Sequence, residues 1–217
     1  MIPSEKELIR KTEQFVRKEA LPADSGHDWE HTRRVRRLAL HIHELEQEGD
    51  RLVIELAALL HDIADSKFHD GDETLGGETA TRFLEGNGLD RGRIGKIREI
   101  IDHISFKHLG KKEPDRSIEF MIVQDADRLD AMGAIGIARA FSYGGYKGRK
   151  MHDPRIPVRT YKTSDEYKRS DAPTINHFHE KLLKLKDLMN TETGHAIAEE
   201  RHRFMQTFLD RFLDEWG

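Results

Sequence analysis

Residues 55–65 decide the fold and read Glu55-Leu56-Ala57-Ala58-Leu59-Leu60-His61-Asp62-Ile63-Ala64-Asp65, an apolar run that ends in a histidine and two aspartates. From Leu52 to Ala64 the apolar residues fall on every side of a helix, which predicts a buried helix. Imidazole and carboxylate groups are costly to bury without partners. A metal ion would satisfy both His61 and Asp62. The alternative is a buried histidine that has Asp62 as its hydrogen-bond partner.

The composition bounds the class of protein. With 217 residues, 35% of them charged and 36% hydrophobic, the chain is long enough for a sizeable core, and we expect one domain over residues 1–217. There is no cysteine, which excludes a disulfide, a thiolate metal site and a cysteine nucleophile. The net charge of −4 is atypical of nucleic-acid binders, so nucleic acid is not an expected partner. Neither a signal-peptide pattern nor a run of about 20 apolar residues is present, so we expect a cytoplasmic protein without membrane contact.

Apolar residues recur at helical spacing along the chain, and strand-like alternation is missing, so the predicted fold is all-α. Ser4 and Glu7 form a capping-box pattern before a helix that reaches about Glu19. Further helices are predicted over 28–48, 77–85, 91–106, 117–141, 175–192 and 193–216. The 117–141 segment is one long helix, or two, since Gly133 and Gly136 weaken its middle. Residues 143–173 have no clear period and are rich in glycine, tyrosine and basic residues, which predicts an irregular lid or binding loop.

Two further segments carry groups that bind metals. His31 lies in the predicted first turn of the second helix, and Gln124-Asp125-Ala126-Asp127-Arg128-Leu129-Asp130 places three carboxylates between apolar runs. Two imidazoles with two carboxylates suit a six-coordinate divalent ion that keeps open positions for water. They suit structural zinc poorly, because thiolates are absent.

His31, then His61-Asp62, then Asp127 in Ala126-Asp127-Arg128-Leu129 resemble the H…HD…D signature of the HD-domain metal-dependent phosphohydrolases. The resemblance covers about residues 24–145 and is strongest to the soluble, stand-alone bacterial branch. It implies an all-α, single-domain HD-type helical bundle with one divalent ion bound by His31, His61, Asp62 and Asp127. Mn²⁺ is the first choice, with Fe²⁺, Ni²⁺, Co²⁺ or Mg²⁺ as alternatives. The resemblance favours Asp127 over Asp125, which the residues alone do not separate.

The resemblance also implies hydrolysis of a small phosphorylated metabolite, with a nucleotide as the expected substrate. Conversion of a (deoxy)nucleoside triphosphate to the monophosphate and pyrophosphate is the first expectation. The alternatives are a nucleotide monophosphatase, a phosphodiesterase, an alarmone hydrolase and a non-catalytic nucleotide sensor. Alarmone hydrolases generally carry a Glu-Asp pair where this chain has Asp65-Ser66, which disfavours that option. A homo-oligomer is left open.

Candidate roles follow for individual residues near this signature. Asp65 lies three residues after Asp62, on nearly the same helix face, and relatives carry an acid there that orients or deprotonates the attacking water. Its alternative is a solvated helix end. Lys67 is the second catalytic candidate and would contact a phosphate group. Asp28 is either an N-cap or a substrate contact. The substrate-binding candidates, for which a core histidine or a surface charge is the alternative, are His27, His103, Arg139, Lys147 and Arg149. The remaining nine histidines are expected at the surface.

Overall fold

The computed structural model describes residues 4–19, 28–63, 75–104, 116–160 and 170–217. Within these ranges the regular elements are helices and no strand occurs, which confirms the all-α prediction. The α-helices are α1 (Glu5–Glu19), α2 (Trp29–Glu46), α3 (Arg51–Leu60), α4 (Leu75–Gly86), α5 (Arg91–His103), α6 (Ile118–Asp130), α7 (Gly133–Tyr146), α8 (Thr174–Glu180) and α9 (Glu192–Trp216). A 3-10 helix spans Leu182–Leu188. None of the described helices is long and apolar enough to cross a bilayer.

The chain divides into two compact units, Met1–Ala126 and Asp127–Gly217. The division falls inside α6, whose backbone runs without interruption from Ile118 to Asp130. The expectation of a single domain over residues 1–217 stays a prediction.

Helix α3 is the centre of the first unit, as its sequence predicts. Every residue from Leu52 to Leu60 is buried, and the helix packs against α1, α2 and α5. Its one buried carboxylate, Glu55, accepts a hydrogen bond from Arg36 Nε at 2.9 Å, so the charge has a partner. Asp50 caps the helix by accepting hydrogen bonds from the backbone N–H groups of the first turn.

The 117–141 segment forms two helices rather than one. Helix α6 ends at Asp130, and α7 begins at Gly133, whose φ is +69°. A residue with a side chain rarely adopts that backbone conformation, so glycine permits the sharp corner between the helices. Helix α7 then extends to Tyr146, four residues into the segment that was predicted to be irregular.

In the second unit, α9 packs against α7 and the 3-10 helix, and α8 packs against both of these. The rings of Phe141, Phe178, Phe208 and Phe212 lie with centroids about 6 Å apart and form its aromatic core. The prediction of one α-helix over 175–192 is wrong. Helix α8 stops at Glu180 because Lys181 adopts φ −138° and ψ −59°, and a 3-10 helix follows.

Candidate metal centre

His31 is placed by the start of α2. The Asp28 carboxylate is the N-cap of this helix and accepts a hydrogen bond from the His31 backbone N–H at 2.8 Å. The His31 side chain is 1% exposed. A capped first turn therefore carries an imidazole into the protein interior.

His61 and Asp62 follow directly after the buried helix α3. The helix ends at Leu60 with His61 as its C-cap, and the Ile63 N–H donates to Leu60 O at 3.1 Å in the turn that follows. His61 Nδ1 lies 3.0 Å from the carbonyl oxygen of Ala58. Because a carbonyl only accepts, Nδ1 carries the proton, and in the neutral ring Nε2 presents a lone pair. This arrangement is typical of a metal-binding histidine.

Three donor atoms of these residues form a small triangle. His31 Nε2 and His61 Nε2 lie 3.2 Å apart, and Asp62 Oδ2 is 3.3 Å from each of them. A divalent ion bonded at about 2.0–2.2 Å places neighbouring ligand atoms about 3.0–3.5 Å apart. The triangle therefore has the dimensions of one face of a coordination sphere.

Asp127 adds a second carboxylate from α6. His31, His61 and Asp127 each offer a ligand atom within 4.8 Å of the others, a grouping that can hold a metal ion. Asp127 lies one residue after the division between the two units, on the continuous α6 backbone. Asp125, two residues earlier, is fully buried. Burial lowers the pKa of Arg116, and the negative charge of Asp125 partly offsets that effect.

The donor set fits a divalent cation. Two imidazole nitrogens and one carboxylate oxygen converge within 3.3 Å of one another. Imidazole with carboxylate is a set that divalent manganese, iron, cobalt and nickel accept. The residues present thus suit the metal that the sequence predicts.

The other predicted site residues have different surroundings. His103 is exposed at the end of α5, and its Nδ1 lies 2.9 Å from the carbonyl oxygen of Glu99. Arg139 Nη1 donates to Asp130 Oδ2 at 2.6 Å. His27, Asp65 and Lys67 lie outside the described residues.

Lys147 and Arg149 line a cavity of about 620 Å³ in the second unit, together with Tyr143, Lys150 and Ser170. The Lys147 ammonium lies over the ring of Tyr143, 5.7 Å from its centroid, as does the guanidinium carbon of Arg149. Arg149 Nη2 also donates to Ser170 O at 2.7 Å. This part of the 143–173 segment is a basic, aromatic recess, which agrees with the composition of its sequence.

Three histidines that were expected at the surface are partly or largely buried. Burial lowers the pKa of His177 to about 3, and the nearby charges of Lys181 and Arg149 act in the same direction. His152 packs edge-on against Trp216, with ring centroids 5.4 Å apart, and His202 has a buried Nδ1. His177 and His202 lie on predicted helices near aromatic residues, and His152 lies close to a proline. These positions were the available sequence signal for burial, because the polarity of histidine alone does not reveal it.

Comparison with known proteins identifies the family. Residues 28–132 match the model of the HD domain. The chain is 43% identical over 187 residues to the uncharacterised protein YpgQ of Bacillus subtilis, an alignment that covers 85% of this chain and 82% of YpgQ. The chain belongs to the HD-domain family. This membership confirms the resemblance that His31, His61-Asp62 and Asp127 carry.

Solved structures share the fold over nearly the whole chain. A Bacillus thuringiensis HD-superfamily hydrolase is 42% identical with a TM-score of 0.78, and the match covers 98% of both chains. A Lactobacillus plantarum structure is 36% identical with a TM-score of 0.82 and covers 100% of this chain and 99% of its own. B. subtilis YpgQ in complex with ADP is 34% identical in the structural comparison, with a TM-score of 0.78, and covers 97% and 96%. The chain is thus an HD-superfamily hydrolase, and HD domains bind divalent metals.

Proposed function

We propose that this HD-superfamily hydrolase is a metal-dependent phosphohydrolase, in which His31, His61, Asp62 and Asp127 hold one divalent ion. The observation that carries the proposal is the convergence of two buried imidazoles and one carboxylate within 3.3 Å of one another, with Asp127 nearby. Mn²⁺ is our first choice of ion, and Fe²⁺, Ni²⁺, Co²⁺ or Mg²⁺ are alternatives. When bound, such an ion polarises water and neutralises phosphoryl oxygens.

We propose a nucleotide as the substrate. The structure of B. subtilis YpgQ in complex with ADP supports this choice, because that protein shares the fold over nearly the whole chain. Within the class, we favour conversion of a (deoxy)nucleoside triphosphate to the monophosphate and pyrophosphate. That choice rests on the family alone.

Other residues of the chain are assigned to proton transfer and to substrate binding. Asp65 accepts the proton of the attacking water, and Lys67 contacts the phosphoryl oxygens beside it. His27 and His103 contact the substrate, and His103 is exposed at the end of α5. Lys147 and Arg149 supply positive charge, which their placement over the Tyr143 ring supports.

The alternative functions differ from the favoured reaction in the product that they release or in having no turnover. A nucleotide monophosphatase or a phosphodiesterase uses the same metal chemistry on another phosphate linkage. A nucleotide sensor binds metal and ligand without turnover, and an alarmone hydrolase acts on a nucleotide with an additional pyrophosphate. The complete set of four ligands with Asp65 favours an enzyme over a sensor.

The test is turnover of a nucleotide panel with Mn²⁺, in which phosphate and pyrophosphate are scored separately. We expect pyrophosphate release by the wild type and its loss in Asp127→Ala. Phosphate release alone identifies a phosphatase and contradicts the favoured reaction. Metal binding without any turnover contradicts the enzyme and supports the sensor.

A further inference from the structure

We propose that Arg139 and Asp130 are a positioning pair, which holds the last turn of α6 so that Asp127 reaches the metal. This inference rests on the metal site proposed above. It gives Arg139 a role through Asp127 in place of the direct substrate contact that the sequence suggested.

One guanidinium group holds both the side chain and the main chain of Asp130. Asp130 is the final residue of α6 and is 1% exposed. Arg139 Nη1 lies 2.6 Å from Asp130 Oδ2 and 3.3 Å from Asp130 O. A buried carboxylate needs such a partner, and the pairing fixes the end of the helix to the first half of α7.

Two more arginines bind carbonyl groups at this end of the second unit. Arg201 Nη1 donates to Leu129 O at 2.5 Å, and Arg128 Nη1 donates to Leu188 O. The last carbonyl groups of a helix lack partners within the helix, and cations are favourable there. The turn that carries Asp127 is therefore held by Arg201 at Leu129 and by Arg139 at Asp130.

The corner after this turn has little space to move. A Cβ atom on Gly133 would lie 3.1 Å from Arg201 Cγ, and one on Gly136 would lie 2.2 Å from Ala131 O. Metal–ligand distances in a formed site lie within about 0.2 Å of their usual values, so a ligand has to be placed closely. Loss of a group that orients a metal ligand typically weakens metal affinity about 10–100-fold. The packing of this corner thus transmits the Arg139–Asp130 contact to Asp127.

The experiment measures the Mn²⁺ dissociation constant of the full chain without nucleotide. Arg139→Gln is expected to weaken Mn²⁺ binding about 10–100-fold, and Arg139→Lys less, because it keeps the charge. Asp130→Asn is also expected to weaken Mn²⁺ binding. Lys96→Gln is the matched control, since Lys96 Nζ binds the buried Glu119 carboxylate at 2.8 Å near the other end of α6. It is expected to leave Mn²⁺ affinity unchanged.

Specific outcomes overturn the positioning role. If Arg139→Gln keeps wild-type Mn²⁺ affinity and raises only KM for the nucleotide, Arg139 is a substrate contact. If Lys96→Gln weakens Mn²⁺ binding as much, the effect is a general loss of stability. If Arg139→Gln does not fold, wild-type Mn²⁺ affinity in both Arg139→Lys and Asp130→Asn overturns the role. Wild-type affinity in Asp127→Ala would refute the metal site itself, which separates that failure from a failure of the pair.

Discussion

The Asp28 carboxylate accepts a hydrogen bond from the His31 backbone N–H at 2.8 Å, and this contact fixes a buried histidine at the start of α2. The sequence left Asp28 as either an N-cap or a substrate contact, and the structure assigns it the N-cap. The N-cap of α2 therefore also positions a candidate metal ligand.

Removal of this cap is expected to affect both stability and metal affinity. Asp28→Ala should lower the free energy of unfolding by about 1 kcal/mol, the usual cost of losing an N-cap, and should weaken Mn²⁺ binding through His31. Asp28→Asn should preserve both, because asparagine caps equally well. Urea denaturation and Mn²⁺ titration check this. Loss of nucleotide binding in Asp28→Asn at unchanged stability would instead indicate a substrate contact.

The two aspartates near the end of α6 should respond differently to neutralisation. Mn²⁺ stabilises a folded protein that binds it, by about 2.7 kcal/mol at a hundredfold excess over the dissociation constant. Asp127→Asn should lose most of the Mn²⁺-dependent rise in Tm, whereas Asp125→Asn should keep it, since Asp127 lies among the donors. Thermal unfolding with Mn²⁺ and with a chelator checks this. An equal loss in both variants would contradict the assignment.

His177 should make stability depend on pH in mildly acid solution. Burial lowers its pKa to about 3, whereas an unfolded histidine has a pKa of about 6.5. Between these values the unfolded chain binds a proton that the folded chain does not. The free energy of unfolding therefore falls as the pH drops from about 6.5 to about 3, by up to about 1.4 kcal/mol per pH unit.

His177→Gln should flatten this dependence when urea unfolding is followed from pH 7 to pH 4. His179→Gln is the matched control, because His179 is exposed on the same short helix and should leave the slope as it is. An unchanged slope in His177→Gln would show that other groups cause the acid sensitivity.

Two glycines of α7 should respond to alanine with opposite signs. Gly133 has φ +69° and a hypothetical Cβ 3.1 Å from Arg201, so Gly133→Ala should lower the free energy of unfolding by about 1–2 kcal/mol. Gly145 has open space around its Cα, and Gly145→Ala should raise it by about 0.5 kcal/mol through helix propensity. Chemical denaturation of both variants checks this. Equal effects would contradict the role of Gly133 at the corner.

The sequence predicted those features that depend on local patterns. The apolar residues around Glu55 indicate a buried helix because no face of it is polar, and the order of His31, His61-Asp62 and Asp127 indicates the family. The break at Gly133 was one of two stated alternatives. In each case the signal lies in residues that are close together in the chain or in a motif of fixed order.

Features that depend on tertiary contacts escaped prediction. No glycine or proline marks the end of α8 at Glu180, so one helix through residue 192 was expected. The Arg139–Asp130 contact joins two helices across a corner, and a spacing of nine residues does not reveal it. The burial of His177 arises from packing around α8 and was invisible in a polar segment. The residues alone did not separate Asp125 from Asp127. The family resemblance favoured Asp127, and the structure groups Asp127 with His31 and His61.

We propose that His31, His61, Asp62 and Asp127 hold one divalent ion, and a crystal structure with Mn²⁺ analysed by anomalous diffraction tests this metal site. We predict a single anomalous peak per chain, with His31 Nε2, His61 Nε2 and both carboxylates at bonding distance. A peak bound elsewhere, or no peak at a saturating Mn²⁺ concentration, would refute this metal site.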